Sequence, residues 1–185
     1  DITNEVAQQG RRGALMLTMD ILHPDIEEFI TKKQDLTKVT GANISVKVSD
    51  AFMRTMIHHE YFILRFPIDA VISSSDMEIM DKAPYNELVK SGNIYMKKVD
   101  ANKLWKTLIH CAWNTAEPGI IFQDRMTGYA PDGVYPNYRV ISTNPCSEIG
   151  MGAYDSCRLM HINLTSMVIN PFTEYSKINY DLLSE

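Results

Sequence analysis

Short apolar runs that alternate with amphipathic ones predict an α/β fold with parallel strand pairing. Three observations carry this expectation. Short, β-like apolar stretches recur at residues 14–19, 43–48 and 120–123. The first two are each followed by a segment with the chemistry of a helix start. Residues 101–116 then carry the clearest helical periodicity in the chain.

The elements follow in order. Residues 14–19 read as a strand. Pro24 comes next where helices tolerate proline, in the first turn, with Asp25, Glu27 and Glu28 suited to the positive end of the helix dipole. Residues 43–48 read as a second strand, and Ser49 or Asp50 is placed to cap a helix running to about His59. Residues 61–66 are apolar and stop at Pro67. The stretch 68–92, with Ser73-Ser74-Ser75 and Ala83-Pro84, predicts loop and one short helix. Residues 93–99 suggest a strand or an edge ribbon. Asp100 is a good N-cap for the helix over 101–116, in which Leu104, Trp105, Leu108, Ile109 and Ala112 form an apolar stripe. Pro118-Gly119 ends that helix. Residues 120–123 read as a buried strand, and 128–139 as turn-rich chain crossing the surface.

Composition narrows the function classes. At 185 residues, 45% hydrophobic and 22% charged, the chain fits one domain, 1–185, able to bury a core. A net charge of −5 supplies no basic footprint for nucleic acid. No run of about 18 apolar residues exists to span a membrane. The opening Asp1-Ile2-Thr3-Asn4-Glu5 is not that of a signal peptide. Three cysteines do not make a secreted disulfide framework. A cytoplasmic protein with reduced thiols is expected.

The most informative segment is Ser142-Thr143-Asn144-Pro145-Cys146-Ser147-Glu148-Ile149, with Cys157 eleven residues beyond Cys146. In an extended backbone Asn144, Cys146 and Glu148 would share one face. That would converge an amide, a thiol that can act as nucleophile or radical carrier, and a carboxylate that can act as base. Each also has an ordinary reading: a small buried hydrophobe for Cys146, a solvated carboxylate for Glu148, a turn residue before proline for Asn144. Cys111 falls near the helical stripe and reads as packing, as do Trp105 and Trp113. His58-His59 point in different directions on a helix, and no Cys-x-x-Cys or His-x-x-x-His pair exists, so no metal site is expected. A cysteine hydrolase would need a histidine base; only His161 is near in sequence, and no motif supports it. Gly10-Arg11-Arg12-Gly13 is a basic turn, or a loop whose glycines let the backbone approach a ligand while guanidinium forks meet phosphate or base edges.

Segment by segment the chain resembles the ribonucleotide reductase large (catalytic) subunit. The Asn144-Pro145-Cys146-Ser147-Glu148 loop looks like that family's active-site loop. Gln8-Gln9-Gly10-Arg11-Arg12-Gly13-Ala14-Leu15-Met16 looks like its specificity loop and following strand, and His23-Pro24-Asp25-Ile26-Glu27-Glu28-Phe29-Ile30 like its next helix. The segment from Ile44 to Met53 is similar to another strand and helix start. Glu117-Pro118-Gly119-Ile120-Ile121-Phe122-Gln123-Asp124-Arg125 is similar to the strand upstream of the loop, and Cys157-Arg158-Leu159-Met160-His161-Ile162-Asn163-Leu164 to the segment after it. Only about residues 68–98 carry nothing that matches.

The resemblance implies part of the ten-stranded α/β barrel of reductases and glycyl-radical enzymes. It implies reduction of ribonucleotides to deoxyribonucleotides, with Cys146 a transient thiyl radical, Glu148 the base for the 3′-hydroxyl and Asn144 a holder of the sugar hydroxyls. Cys157 becomes one of two reducing thiols, its mate on an upstream strand outside this chain. Gly10, Arg11, Arg12 and Gly13 become the loop that links a deoxynucleotide effector to base choice, with Arg12 the better match to the family's arginine. Pro145 and the short spacing to Cys157 look like the adenosylcobalamin-dependent class; a separate iron or manganese radical subunit is the alternative. The implied partners are a ribonucleotide substrate, the effector, the remainder of the reductase chain, a thioredoxin-like reductant and further subunits of an oligomer. Such subunits are several times longer, and the chain has no initiator methionine. An internal slice is expected, inactive alone and prone to associate through unpaired strand edges. A truncated nucleotide-binding or interaction fragment without turnover is the competing reading.

Overall fold

The computed structural model describes residues 13–131, 135–157 and 159–184. Contacts within the chain fall into two compact units, Asp1–Asp155 and Ser156–Glu185.

The first unit is built on a parallel sheet of order β1-β2-β6. Strand β1 (Met16–Asp20) pairs with β2 (Asn43–Val48), and β2 with β6 (Gly119–Phe122), both parallel. Parallel neighbours need a crossover, and here each crossover is helical. Helix α1 (Ile26–Thr31), continued by a 3-10 turn at Lys32–Gln34, joins β1 to β2. It starts at Ile26, so Pro24 precedes the N-cap Asp25 instead of lying in the first turn as the sequence suggested. After β2, the Ser49 side chain accepts from the Phe52 amide and starts α2 (Asp50–Ile57), as its position predicts.

The return to β6 carries an excursion. Strands β3 (Tyr61–Phe66), β4 (Leu88–Ser91) and β5 (Ile94–Asp100) form a separate antiparallel sheet of order β3-β5-β4. Of the two readings of residues 93–99, a strand or an edge ribbon, the strand holds, and β5 is the central one. Gly92, with φ 56, takes the first position of a two-residue hairpin turn, where left-handed backbone is required. Helix α3 (Ser74–Lys82) begins in a reciprocal capping box between Ser73 and Asp76. The buried Lys98 ammonium donates to the Met80 carbonyl at 3.0 Å and lies between the Tyr61 and Tyr85 rings, holding α3 to this sheet.

Asp100 then caps α4 (Ala101–Thr115) by accepting from the Lys103 amide at 2.9 Å. The buried stripe of α4 is Ala101, Leu104, Leu108 and Cys111, while Ile109 is exposed. These side chains pack with Ile26 and Ile30 of α1 and Phe52 of α2 against Val46 and Val48. One face of the parallel sheet is thereby buried under three helices. A helix the sequence reading missed, α5 (Gln123–Tyr129), follows β6 directly. A hairpin of β7 (Ser142–Thr143) and β8 (Gly150–Met151) closes the unit.

The second unit holds a 3-10 turn at Leu164–Met167, capped by the Asn163 side chain. An antiparallel pair, β9 (Val168–Ile169) with β10 (Lys177–Ile178), and α6 (Tyr180–Ser184) follow. The architecture is thus mixed α/β. Among the described residues the sheets do not close into a barrel.

Candidate active site

The second face of the parallel sheet is polar. Register pairs Thr18 with Ser45 and Asp20 with Lys47, so the four side chains project to the side away from Val46 and Val48. Gly119 and Ile121 of β6, paired with Ser45 and Lys47, face the same way. Parallel sheets are ordinarily apolar on both faces. A polar face here breaks the packing rule in the manner of functional surfaces.

Residues 140–151 fold against this face. The Ile141 amide donates to the Met151 carbonyl at 2.9 Å, extending the β7–β8 ladder. The loop between the strands is closed by Asn144. Its amide donates to the Ile149 carbonyl at 3.2 Å, its side-chain Oδ1 accepts from the Ile149 amide at 3.1 Å, and its carbonyl accepts from the Ser147 amide at 2.9 Å. Asn144 is 7% exposed, whereas Cys146 and Glu148 are exposed. The extended-chain premise that gave these three side chains a common face does not hold. The chain turns at Pro145-Cys146, and Ser147 takes a left-handed φ of 66. Cys146 occupies the turn of a hairpin that Asn144 fastens from below.

Beside that turn lies a cavity of about 300 Å³. Pro145, Cys146 and Ser147 form one wall; Met16, Asn43, Ser45 and Gly119, at the N-terminal ends of the three parallel strands, form the other with Glu117. Glu117 is fixed there. Its Oε1 accepts from the Ile44 amide at 3.0 Å and its Oε2 pairs with the Lys33 ammonium, which also donates to the Ala42 carbonyl at 2.5 Å. Both side chains of the pair are mostly buried, at 15% and 19% exposure. Three consecutive backbone carbonyls or hydroxyls of the hairpin stem are held from the sheet side. The Gln123 amide donates to Val140 O at 2.8 Å, Lys47 Nζ lies 3.4 Å from Ile141 O, and the Thr18 and Ser142 hydroxyls are 3.2 Å apart.

The remaining sequence-predicted residues are placed as follows. Gly10, Arg11 and Arg12 lie outside the described residues; Gly13 is exposed ahead of β1. Cys157 is exposed and belongs to the second unit. Cys111 is 3% exposed in the helical core, and burial pushes its thiol up from the usual cysteine range. Among the described residues, no three His, Cys, Asp or Glu side chains cluster as ligands for a metal ion. Lys33, Glu117, Thr18, Lys47 and Gln123 escaped the sequence reading. A signal existed for two of them: Thr18 and Lys47 are polar at period-two positions inside strands of a parallel sheet.

Gly119 makes a close approach that can be tested. A Cβ there would sit 2.6 Å from Ser45 Oγ and 3.6 Å from Ser45 Cβ. Gly119→Ala therefore forces the Ser45 hydroxyl out of place and is expected to cost about 1–2 kcal/mol. Chemical unfolding should show most of that loss recovered in the Gly119→Ala/Ser45→Ala double variant. A double variant as unstable as the single one would refute the contact.

An exposed thiol on a hairpin turn, over the polar face of a parallel sheet with α/β crossovers, defines an α/β domain that offers one thiol to an open cavity. The profile of the ribonucleotide reductase barrel domain matches residues 1–185, and the chain belongs to that family. It is 35% identical, over its whole length, to a vitamin B12-dependent ribonucleoside-diphosphate reductase of Thermoplasma acidophilum, covering 21% of that protein. It is 29% identical over 95% of its length to the vitamin B12-dependent ribonucleoside-diphosphate reductase of Mycobacterium tuberculosis, again covering 21%. A vitamin B12-dependent ribonucleotide reductase of Streptomyces clavuligerus is 29% identical over 83% of the chain, which covers 16% of it. The chain spans about a fifth of the length of the curated relatives it matches. Among the described residues no helix is long and apolar enough to cross a membrane.

Proposed function

We propose that residues 1–185 are one domain segment of the catalytic barrel of a ribonucleotide reductase, and that Cys146 is its radical-carrying thiol. The observation that carries this reading is the exposed Cys146 thiol beside a cavity lined by the starts of three parallel strands, in a chain of this family.

Each group then has a defined task. Cys146, as thiyl, takes the 3′-hydrogen of a ribonucleotide and returns it at the end. A thiol suits this because its S–H bond is weak enough to exchange a hydrogen atom with carbon. Glu148 takes the 3′-hydroxyl proton, which helps the 2′-hydroxyl leave as water. Asn144 has its Oδ1 committed to the Ile149 amide, so its Nδ2 is the group left to meet a sugar hydroxyl. Two electrons come from a pair of thiols that close to a disulfide. Cys157 is one of them, and its mate belongs to the remainder of the reductase chain. A thioredoxin-like reductant reopens the bond by thiol–disulfide exchange. Gly10, Arg11, Arg12 and Gly13 belong to the loop that answers a deoxynucleotide effector.

A radical source has to reach the Cys146 sulfur, and exposure of that thiol at an open cavity meets this requirement. Such access suits adenosylcobalamin, a form of the vitamin B12 that stands in the names of the relatives and that when bound supplies the initiating organic radical. The test is an assay of a complete reductase chain carrying this sequence, with dithiothreitol and a ribonucleoside di- or triphosphate. Deoxynucleotide formation is expected with adenosylcobalamin alone. Formation only with a separate iron or manganese subunit would reassign the radical source, and none under either condition would sink the reading.

A further inference from the structure

The stem of the Cys146 hairpin crosses the polar face of the parallel sheet, and β1, β2 and the residue that follows β6 each contribute one tie to it. Thr18 of β1 meets Ser142, Lys47 of β2 meets Ile141, and Gln123, immediately after β6, meets Val140. The order along the stem, 140-141-142, matches the order across the sheet, β6-β2-β1. From these contacts we infer that Thr18, Lys47 and Gln123 are positioning residues that set where the Cys146 thiol stands over the sheet. The inference rests on the reading of Cys146 as the reacting thiol.

The geometry singles out Gln123 and Thr18 as the stronger ties. Gln123 Nε2 donates at 2.8 Å to Val140 O and at 3.1 Å to Thr127 Oγ1, while its Oε1 is buried without a partner among the described residues. Reversing the amide would set Oε1 against the Val140 carbonyl, so the donor orientation is fixed. The Thr18–Ser142 hydroxyl bond, at 3.2 Å, links strands 124 residues apart in sequence. Lys47 reaches Ile141 O at 3.4 Å, the longest of the three. Beyond these ties the stem continues through Thr143 to Asn144, whose own bonds to Ile149 make the turn rigid. Displacement at 140–142 is therefore passed to Cys146 with little slack. A misplacement of about 1 Å at a reacting group can cost about 100-fold in rate.

The experiment compares Thr18→Val, Thr18→Ser and Gln123→Met in a complete reductase chain. Two readouts are taken: amide hydrogen exchange at Ile141, Asn144 and Ile149, and kcat and KM for cytidine di- or triphosphate with the radical source established for that chain. Thr18→Val and Gln123→Met are expected to speed exchange at these amides at least tenfold. Exchange in β2 and α4 should stay unchanged. The same variants should lower kcat at least tenfold with KM within about twofold, and Thr18→Ser should restore both. Should Gln123→Met fail to fold, Thr18→Val against Thr18→Ser decides alone. Unchanged exchange overturns the inference, whatever the activity. Faster exchange with unchanged kcat also overturns it, because the ties would then hold a hairpin whose position is immaterial. The exchange readout needs no turnover. Failure of the Cys146 reading would show separately, as a Cys146→Ser variant that still turns over.

Discussion

Cys146→Ser is expected to remove turnover by a complete reductase chain by four orders of magnitude or more, ~5.5 kcal/mol in barrier. The substitution changes one atom at an exposed position. It leaves untouched the bonds that shape the turn, because Asn144, Ser147 and Ile149 form them without the Cys146 side chain. What it removes is chemistry: an O–H bond is too strong to trade a hydrogen atom with a ribose carbon as S–H does. Ribonucleotide binding should stay within about twofold, since the thiol is not a binding group in this scheme. Steady-state turnover and equilibrium binding, measured on the same variant, separate the two effects. A serine variant that retains even a tenth of the activity would remove Cys146 from the reaction.

Some of this structure was legible in the sequence because its causes are local. The strand Asn43–Val48 and the Ser49 cap follow from period-two patterning and the chemistry of an amide acceptor, both contained in a few residues. The same holds for Asp100 and α4. Where local chemistry is silent, the reading missed. Helix α5 begins at Gln123 with Phe122 as N-cap and no side-chain cap bond, so nothing in the sequence announces it. Strand β4 is short, and what defines it is pairing with β5. The loop between β7 and β8 shows the limit most clearly. Asn144, Cys146 and Glu148 alternate in sequence, but Ser147 adopts a left-handed φ that serine rarely takes and the alternation is lost. The thiol is left exposed, while the amide is turned inward to fasten the loop. The ties from Thr18, Lys47 and Gln123 span separations from 17 to 124 residues and depend on how strands order in a sheet. Only the oddity of polar residues within parallel strands hinted at Thr18 and Lys47, and nothing hinted at Gln123.

The two remaining cysteines should behave oppositely. Cys157→Ser is expected to abolish multiple turnover with the physiological reductant, and Cys111→Ser to cost about 1 kcal/mol of stability with activity retained. Access decides between them. A thiol must form thiolate and meet another sulfur to exchange, and Cys157 is exposed where Cys111 is not. Cys111 sits at 3% exposure among Ile30, Leu108 and their neighbours, where burial disfavours its thiolate. Its carbonyl is also engaged, accepting from Gln34 Nε2 and Thr115 Oγ1, so the residue is held as part of the helix end that α1's 3-10 extension clamps. Serine in that site keeps the backbone bonds and loses only sulfur packing. Under the proposed redox role the opposite holds at Cys157. Each turnover forms one deoxynucleotide and one water together and consumes two thiol electrons, and without one partner no disulfide can close or be reopened. Alkylation by iodoacetamide of the reduced complete chain, followed by peptide mapping, should label Cys157 and spare Cys111 until unfolding. If Cys111→Ser halts turnover and Cys157→Ser does not, the redox assignment falls, and the proposed reductase reading rests on Cys146 alone.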